Sequence, residues 1–217
     1  SEFAPVEVVE LPDGLRPISH TDSDHPVTRA IMARCCDALI ASEAERNALD
    51  AQAGDGDTGS TLAGAARALI EAMDRLPLSD HTQLYRAIGL ELSETMGGSS
   101  GVLLAIFFAA AGDATSSGMP LRGALSVGLD RMQKIGGANV GDRTMVAALK
   151  PALEALSTSL EDAAVAARKG ADGTASMDHA NAGRSAYLSA EQLIGHTDPG
   201  AEAVARLFEH LASEIVA

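Results

Sequence analysis

From His25 onward, apolar residues recur three and four positions apart. Val27, Ala30, Ile31, Ala38 and Leu39 fall on one helical face that runs to about Leu49, and Pro26 suits its first turn. After a Gly/Asp loop, Leu62, Ala65, Ala66, Leu69, Ile70 and Met73 form the apolar face of a second helix, from about Ser60 to Arg75, which Pro77 stops. The same pattern predicts helices over 80–95, 100–112, 119–134, 142–157, 159–179 and 199–216, eight in all. They are separated by Gly-rich breaks at Met96–Gly101, Gly112–Gly118, Gly136–Asp142 and Gly195–Gly200. Gly170 and Gly173 each cost about 1 kcal/mol relative to Ala in a helix interior, so the seventh helix is open to division into two pieces. No stretch alternates apolar and polar positions long enough for a strand, and no repeat of fixed period occurs. The expected architecture is all-α.

Residues 1–24 break the pattern. Pro5, Pro12, Gly14 and Pro17 interrupt a stretch without helical periodicity, which reads as a linker or extended arm, with Ser1-Glu2-Phe3 as a cloning remnant. Residues 25–217 are then one folding unit, within the size range of a single domain.

Composition narrows the function classes. Hydrophobic residues make up 46% and aromatics only 3% with no Trp, so the helices must pack through Ala, Leu and Gly. Thirty acidic against sixteen basic residues give a formal net charge of −14, and no Lys/Arg cluster carries interleaved aromatics. A broad phosphate-contacting face for nucleic acid is therefore not expected. The longest apolar stretch, Val102 to Ala111, is half of the ~20 residues that a membrane span needs and reads as a buried helix. Cys35 and Cys36 are adjacent and make neither a long staple nor a metal site by themselves; with no secretory pattern, a reducing cytoplasm is expected.

The densest chemical signal is Leu49-Asp50-Ala51-Gln52-Ala53-Gly54-Asp55-Gly56-Asp57-Thr58-Gly59-Ser60-Thr61, three carboxylates beside three glycines. Like charges this close repel unless a cation neutralises them, and hard oxygen ligands on a flexible loop suit Mg²⁺ or Ca²⁺. An EF-hand is excluded, because the twelfth position from Asp55 is Ala66 rather than Glu. Mg²⁺ commonly shares its shell with substrate phosphates, so a phosphate-bearing ligand is expected nearby. The same residues also suit a solvated Asp/Gly turn in which Thr58 or Ser60 caps the next helix.

Two helix starts offer anion cradles: Gly59-Ser60-Thr61, and Gly97-Gly98-Ser99-Ser100-Gly101. Neither is a Walker loop, and each alone reads equally as an interhelical turn. In Gly141-Asp142-Arg143-Thr144-Met145, Asp142 suits an N-cap, while Thr144 and Met145 suit the wall of a nucleotide pocket. Arg184, in Gly183-Arg184-Ser185, suits a phosphate or a surface ion pair, and Asp198-Pro199-Gly200 reads as cap, first-turn proline and helix start. The six histidines are scattered without zinc spacing, and no Gly-x-Ser-x-Gly elbow is present.

Taken in order, Leu49-Asp50 with Gly54 to Gly59, Met96 to Gly101, Gly141 to Met145, Ala182-Gly183-Arg184-Ser185-Ala186-Tyr187 and Asp198-Pro199-Gly200-Ala201 resemble the nucleotide-binding (DAK2-type) domain of dihydroxyacetone kinases, over about residues 26–217. Within that family the chain looks most similar to the C-terminal domain of single-chain ATP-dependent enzymes, the group that includes triokinase/FMN cyclase. The resemblance implies an eight-helix antiparallel barrel with a nucleotide at one rim. It implies that Asp50, Asp55 and Asp57 hold two Mg²⁺ ions that bridge the phosphates of ATP. Thr58, Gly59, Ser60, Thr61, Gly98, Ser99 and Ser100 would bind phosphates, with Gly136, Thr144, Met145, Arg184, Asp198, Pro199 and Gly200 around the nucleotide. It also implies a separate domain that holds the ketose, to which residues 4–24 would connect, and an isolated chain without significant transfer activity.

Two departures bear on the branch. Phosphoenolpyruvate-dependent subunits, in which ADP stays bound, commonly carry His after Gly-Asp-Gly-Asp, whereas this chain has Thr58, which favours exchanging ATP. The nucleotide domain of fatty-acid kinases carries a similar Asp-Gly-Asp-Thr-Gly loop, but Gly54, the Gly-Gly-Ser-Ser-Gly turn and the Asp-Pro-Gly end argue against it. A helical scaffold whose Asp loop is only a turn is the remaining alternative, and Mg²⁺-dependent nucleotide binding separates it from the others.

Overall fold

His25 opens the first helix by accepting the Thr28 N–H on Nδ1 at 3.2 Å, with Pro26 in the first turn as expected. The computed structural model describes residues 20–53 and 56–213, apart from the side chains of Gln52, Ala53, Arg184 and Ser185. Its helices are α1 (Pro26–Ala41), α2 (Glu43–Ala53), α3 (Thr58–Ala72), α4 (His81–Thr95), α5 (Gly98–Ser116), α6 (Leu121–Gly136), α7 (Val146–Ala155), α8 (Leu160–Thr174), α9 (Ala190–Leu193) and α10 (Pro199–Ser213). Among the described residues there is no strand, only an isolated bridge between Ser23 and Pro77.

The pattern over 25–49 is two helices rather than one. The Ser42 hydroxyl turns back to donate to the Ala38 carbonyl at 2.6 Å, and the buried Arg46 guanidinium donates to the Ser42 hydroxyl and the Leu39 carbonyl. Side-chain bonds thus replace the backbone donors that a continuous helix would have supplied. The seventh predicted helix is a single piece, α8, that ends at Thr174 instead of 179. A Cβ on Gly170 would lie 2.1 Å from the Ala147 carbonyl oxygen, so this glycine marks a close approach of α8 to α7 and not a break.

Eight helices close into a ring. α1 packs on α3, and α3 to α8 follow each against the next; α8 then meets α10, which returns to α1. α2 stands outside this ring, against α3, α10 and α9. Neighbours run antiparallel. Arg29 at the start of α1 pairs with Asp74 just beyond α3 at 2.8 Å, and Thr82 at the start of α4 meets Thr115 near the end of α5 at 3.1 Å. Arg122 in α6 reaches the Ser157 carbonyl beyond α7 at 3.0 Å, and the Asp198 N–H before α10 reaches Thr174 at the end of α8 at 2.8 Å. The chain is a helical barrel, as the resemblance implied.

Two apolar clusters fill it. One gathers Leu69, Leu84, Ile88 and Leu92; the other Leu129, Met132, Leu153 and Phe208; Phe108 and Leu125 pack against both. Many buried positions are alanine, which accounts for a core with so few aromatics. α5 departs from expectation. It runs to Ser116 instead of 112, and it is a half-exposed wall between α4 and α6, with Phe107 and Ala111 buried and Val102 exposed. Among the described residues it is the one helix long and apolar enough, by length and composition alone, to cross a membrane.

An antiparallel ring sends alternate connections to opposite ends. Residues 56–58, 96–98, 137–145 and 175–198 therefore share one rim, and 73–80, 117–120 and 156–159 share the other. At the second rim, residues 20–23 are held rather than loose: Leu78 N–H donates to the Ser23 carbonyl at 2.9 Å, Ser79 to the Ser23 hydroxyl at 2.7 Å, and His20 Nε2 meets the Arg75 carbonyl at 2.9 Å.

Candidate functional site

The described residues of every motif singled out in the sequence fall on the first rim. Asp50, near the end of α2, is 5% exposed, and its Oδ2 accepts the backbone N–H groups of Asp57 at 2.9 Å and Thr58 at 3.1 Å. This carboxylate, not Thr58 or Ser60, receives the first donors of α3. Gly56 at φ +79° lets the chain double back to make the contact. Asp57 occupies the N-cap position with an exposed side chain that makes no capping bond.

The start of α3 is partly committed to α2. Asn47 Oδ1 accepts the Ser60 N–H at 3.0 Å, Asn47 Nδ2 donates to the Ser60 hydroxyl at 2.8 Å, and that hydroxyl donates to Glu43 at 3.1 Å. Gly59 fits because a Cβ there would sit 2.1 Å from the Glu43 carbonyl oxygen. Asn47 had no signal in the sequence, yet it aligns this turn. The start of α5 is different: Gly98 at φ +70° opens it, Gly98, Ser99 and Ser100 are exposed, and no side chain caps it. Its N-terminal donors face outward, which suits an anion.

On the facing side, Gly136 ends α6 against Leu103, and Gly137 at φ +75° turns the chain. Asp142 is not the N-cap of the following helix. It closes a 3-10 turn at 140–142, accepting the Asn139 N–H at 2.6 Å and an Asn181 N–H at 2.7 Å; these donors, Asn181 first, hold its carboxyl below the usual range. α7 begins only at Val146, whose N–H reaches the Thr144 hydroxyl at 3.3 Å.

Arg143, between them, is fully buried and is the one non-glycine residue at positive φ (+55°) among those described. Its Nη2 donates to the carbonyls of Leu193 at 3.2 Å and His196 at 2.6 Å. Sequence reasoning passed over it, because nothing in the residue type says that an arginine will be enclosed.

Asp198 begins α10 as expected, its Oδ1 accepting the Ala201 N–H at 2.8 Å. Burial pushes its carboxyl up to about 6; Arg143 pulls the other way, and the Asp50 charge adds to the rise. Asp50 and Asp198, 148 positions apart in sequence, are thus brought to the same rim. Gly200 lies against Met145, where a Cβ would stand 3.3 Å from the Met145 Cβ.

Asp55 lies outside the described residues, as does the Arg184 side chain, whose backbone is in the turn Arg184–Tyr187. Among the described residues no three His, Cys, Asp or Glu side chains gather into a metal-binding group. The donors do fit a hard cation: Asp50 and Asp57 are all-oxygen ligands on one turn, tied together by the bond from the Asp57 N–H to the Asp50 carboxylate. Two surface grooves, of about 440 Å³ beside Arg168 and about 480 Å³ beside His20 and Pro77, lie elsewhere and gather none of these residues.

Comparison with known proteins gives a consistent picture. The DAK2 domain family model matches residues 52–213. Dihydroxyacetone kinase of Citrobacter freundii is 46% identical over 196 residues, which cover 86% of this chain and 36% of the relative. Human triokinase/FMN cyclase is 36% identical over 221 residues, 95% of this chain and 38% of the relative. The crystal structure of the native C. freundii dihydroxyacetone kinase superposes with a TM-score of 0.85 at 39% identity, covering 98% of this chain and 38% of that one. The same kinase in complex with AMP-PNP and Mg²⁺ gives 0.82 at 38% identity, with the same coverage. The chain thus spans less than two-fifths of the length of these relatives.

Proposed function

The chain belongs to the DAK2 domain family, and on that premise we propose that it is the Mg·ATP-binding half of a kinase that phosphorylates dihydroxyacetone or a related short-chain ketose held by a separate domain. The observation that carries this reading is the convergence of Asp50, Asp57, Gly98–Ser100, Thr144–Met145 and Asp198–Gly200 on one rim of the barrel. A relative of the same fold was crystallised with AMP-PNP and Mg²⁺, which supports the ligand pair. Phosphoenolpyruvate-dependent and fatty-acid-kinase readings share the fold, but Thr58 and the Gly98–Ser100 turn favour an ATP-dependent ketose kinase.

In this reading Asp50, Asp55 and Asp57 hold two Mg²⁺ ions, which supply charge neutralisation for the transferring phosphoryl group. The chain's own residues position. Asp50 also anchors the start of α3, so one carboxylate would serve both the metal and the turn that faces the phosphates. The N–H groups of Gly98, Ser99 and Ser100 receive phosphate oxygens; at Thr58, Gly59, Ser60 and Thr61, where Asp50 and Asn47 hold the Thr58 and Ser60 N–H groups, phosphate binding requires an exchange of those partners. Gly136, Thr144 and Met145 wall the nucleoside, with Arg184 and the segment Asp198, Pro199 and Gly200 completing the enclosure. No group here abstracts the substrate proton; that role belongs with the ketose domain, and transfer by this chain alone is negligible. We place the protein in the cytoplasm, which suits its two free thiols, Cys35 and Cys36, and we assign it neither a nucleic-acid nor a membrane partner.

Calorimetric titration of ATP with and without Mg²⁺ tests this directly. Mg²⁺-dependent binding that disappears in Asp55→Asn is the expected result, and addition of a ketose-binding domain should then restore transfer. Binding that is indifferent to Mg²⁺ and to Asp55→Asn would overturn the reading.

A further inference from the structure

Arg143 combines two costs at one position. Its backbone is left-handed (φ +55°, ψ +59°), a conformation that disfavours any residue with a Cβ. Its guanidinium is completely enclosed, and among the described residues Nε and Nη1 have no hydrogen-bond partner and no carboxylate forms an ion pair with it. A buried cation with unfilled donors persists only where the surroundings over-determine it, and such strain collects at working sites.

The partners that Arg143 does have indicate its task. Nη2 bridges the carbonyls of Leu193 and His196, the last residue of α9 and a residue just before Asp198. On its own chain, Arg143 precedes Thr144 and Met145, and Met145 is the residue that Gly200 abuts. One side chain therefore pins 193–196 to 144–145, and so sets where Asp198, Pro199 and Gly200 stand relative to Met145. The charge acts on this wall as well, since Arg143 favours the ionised form of the Asp198 carboxyl.

We propose that Arg143 is a positioning residue for the nucleotide site: anchored on the Leu193 and His196 carbonyls, it holds the Asp198–Gly200 wall against Thr144–Met145. The inference rests on the nucleotide reading above for its functional consequence, but its structural half stands independently. Arg143 acts through that wall and is not itself a catalytic group.

The test uses Arg143→Gly, because glycine accepts the left-handed backbone while the whole side chain, guanidinium included, is removed, and Arg143→Lys, which keeps the charge and most of the stem but cannot present two donors in a fixed fork. Amide hydrogen exchange reads the wall without any ligand: the Ala201 N–H, held by Asp198, should exchange at least tenfold faster in Arg143→Gly. Calorimetry reads the consequence: affinity for Mg·ATP should fall at least tenfold in a variant that still melts cooperatively. Methylguanidine added to Arg143→Gly should recover part of both, with Arg143→Lys intermediate. Wild-type exchange at Ala201 together with wild-type affinity would overturn the proposal. Should Arg143→Gly fail to fold, the same two readouts on Arg143→Lys decide, and unchanged values there overturn it. If wild type itself binds no nucleotide, the kinase reading fails, and the exchange result still judges Arg143.

Discussion

Gly170 of α8 rests on the one carbonyl of α7 that Pro151 leaves without its helical donor. Pro151 has no N–H to return to Ala147, four residues earlier, and it is the Ala147 oxygen that a Cβ on Gly170 would approach to 2.1 Å. A sterically bare Cα therefore meets an underused acceptor, a geometry suited to a weak Cα–H···O contact. Two residues that usually disrupt helices here allow two helices to touch.

Gly170→Ala should consequently destabilise the protein. Alanine brings about 1 kcal/mol of helix propensity, but the added methyl meets backbone that cannot yield, and overpacking of this kind costs about 3 kcal/mol. A loss of about 2 kcal/mol or more in urea unfolding is expected, and a gain would refute the contact.

Glu202, 5% exposed on α10, is held by Arg168 at 2.6 and 3.0 Å and by Arg206 at 2.8 Å. Burial pushes its carboxyl upward, but the hydrogen bonds from Arg168, then Arg206, win and hold it below the usual range. Its contribution to stability is therefore present above the unfolded pKa, near 4.5, and is lost as pH falls through the lower folded value. Glu202→Gln should cost about 1–3 kcal/mol at pH 7, because it weakens charge-assisted hydrogen bonds from two arginines that keep Glu209 and Glu45 as counter-charges. The deficit should shrink below pH 4 in pH-dependent denaturation.

Asp198 should show the opposite sign. Its folded pKa is raised to about 6 from 3.8, so ionising it weakens the fold: stability declines as pH rises from about 4 to 6 and levels off above. Asn keeps the N-cap acceptor for Ala201 without the buried charge. Asp198→Asn, free of nucleotide, should match or exceed wild-type stability by about 1–3 kcal/mol at pH 8 and lose that advantage below pH 4. Melting curves at the two pH values decide.

Asp50 carries a structural and a proposed metal role that two substitutions separate. Asp50→Ala strands two N–H groups at the start of α3 and should cost about 1–3 kcal/mol. Asp50→Asn retains an acceptor and should stay within about 1 kcal/mol of wild type, yet lose Mg²⁺-dependent ATP binding. Nucleotide affinity that survives in a folded Asp50→Asn would remove Asp50 from the metal set.

The apolar spacing of α3, α4, α6 and α10 was legible because an amphipathic helix writes its buried face into the chain at a period of 3.6. Pro26 and Asp198 were legible for a related reason: a first-turn proline and a capping carboxylate act within three residues. The Asp50–Thr61 and Gly97–Gly101 runs stood out because clustered carboxylates and glycines are costly unless used, and taken in order with Gly141–Met145, Ala182–Tyr187 and Asp198–Ala201 they carried the resemblance to the family. The break at Ser42 was hidden, since it depends on Arg46 folding back and not on a helix-breaking residue. Asp142 had the chemistry of a cap, but it closes back on Asn139 and takes its second donor from Asn181, 39 positions away.

Local periodicity and capping, which act over a few residues, determined from sequence that the chain is helical and where its polar turns fall. Tertiary structure alone decided that those turns share one rim, that Asp50 and Asp198 stand on it together, and that Arg143 is enclosed between Leu193 and His196. These are relations between residues up to 148 positions apart. They exist only once an antiparallel ring has closed, because closure sends every second connection to the same end and removes water from the charges that lie there.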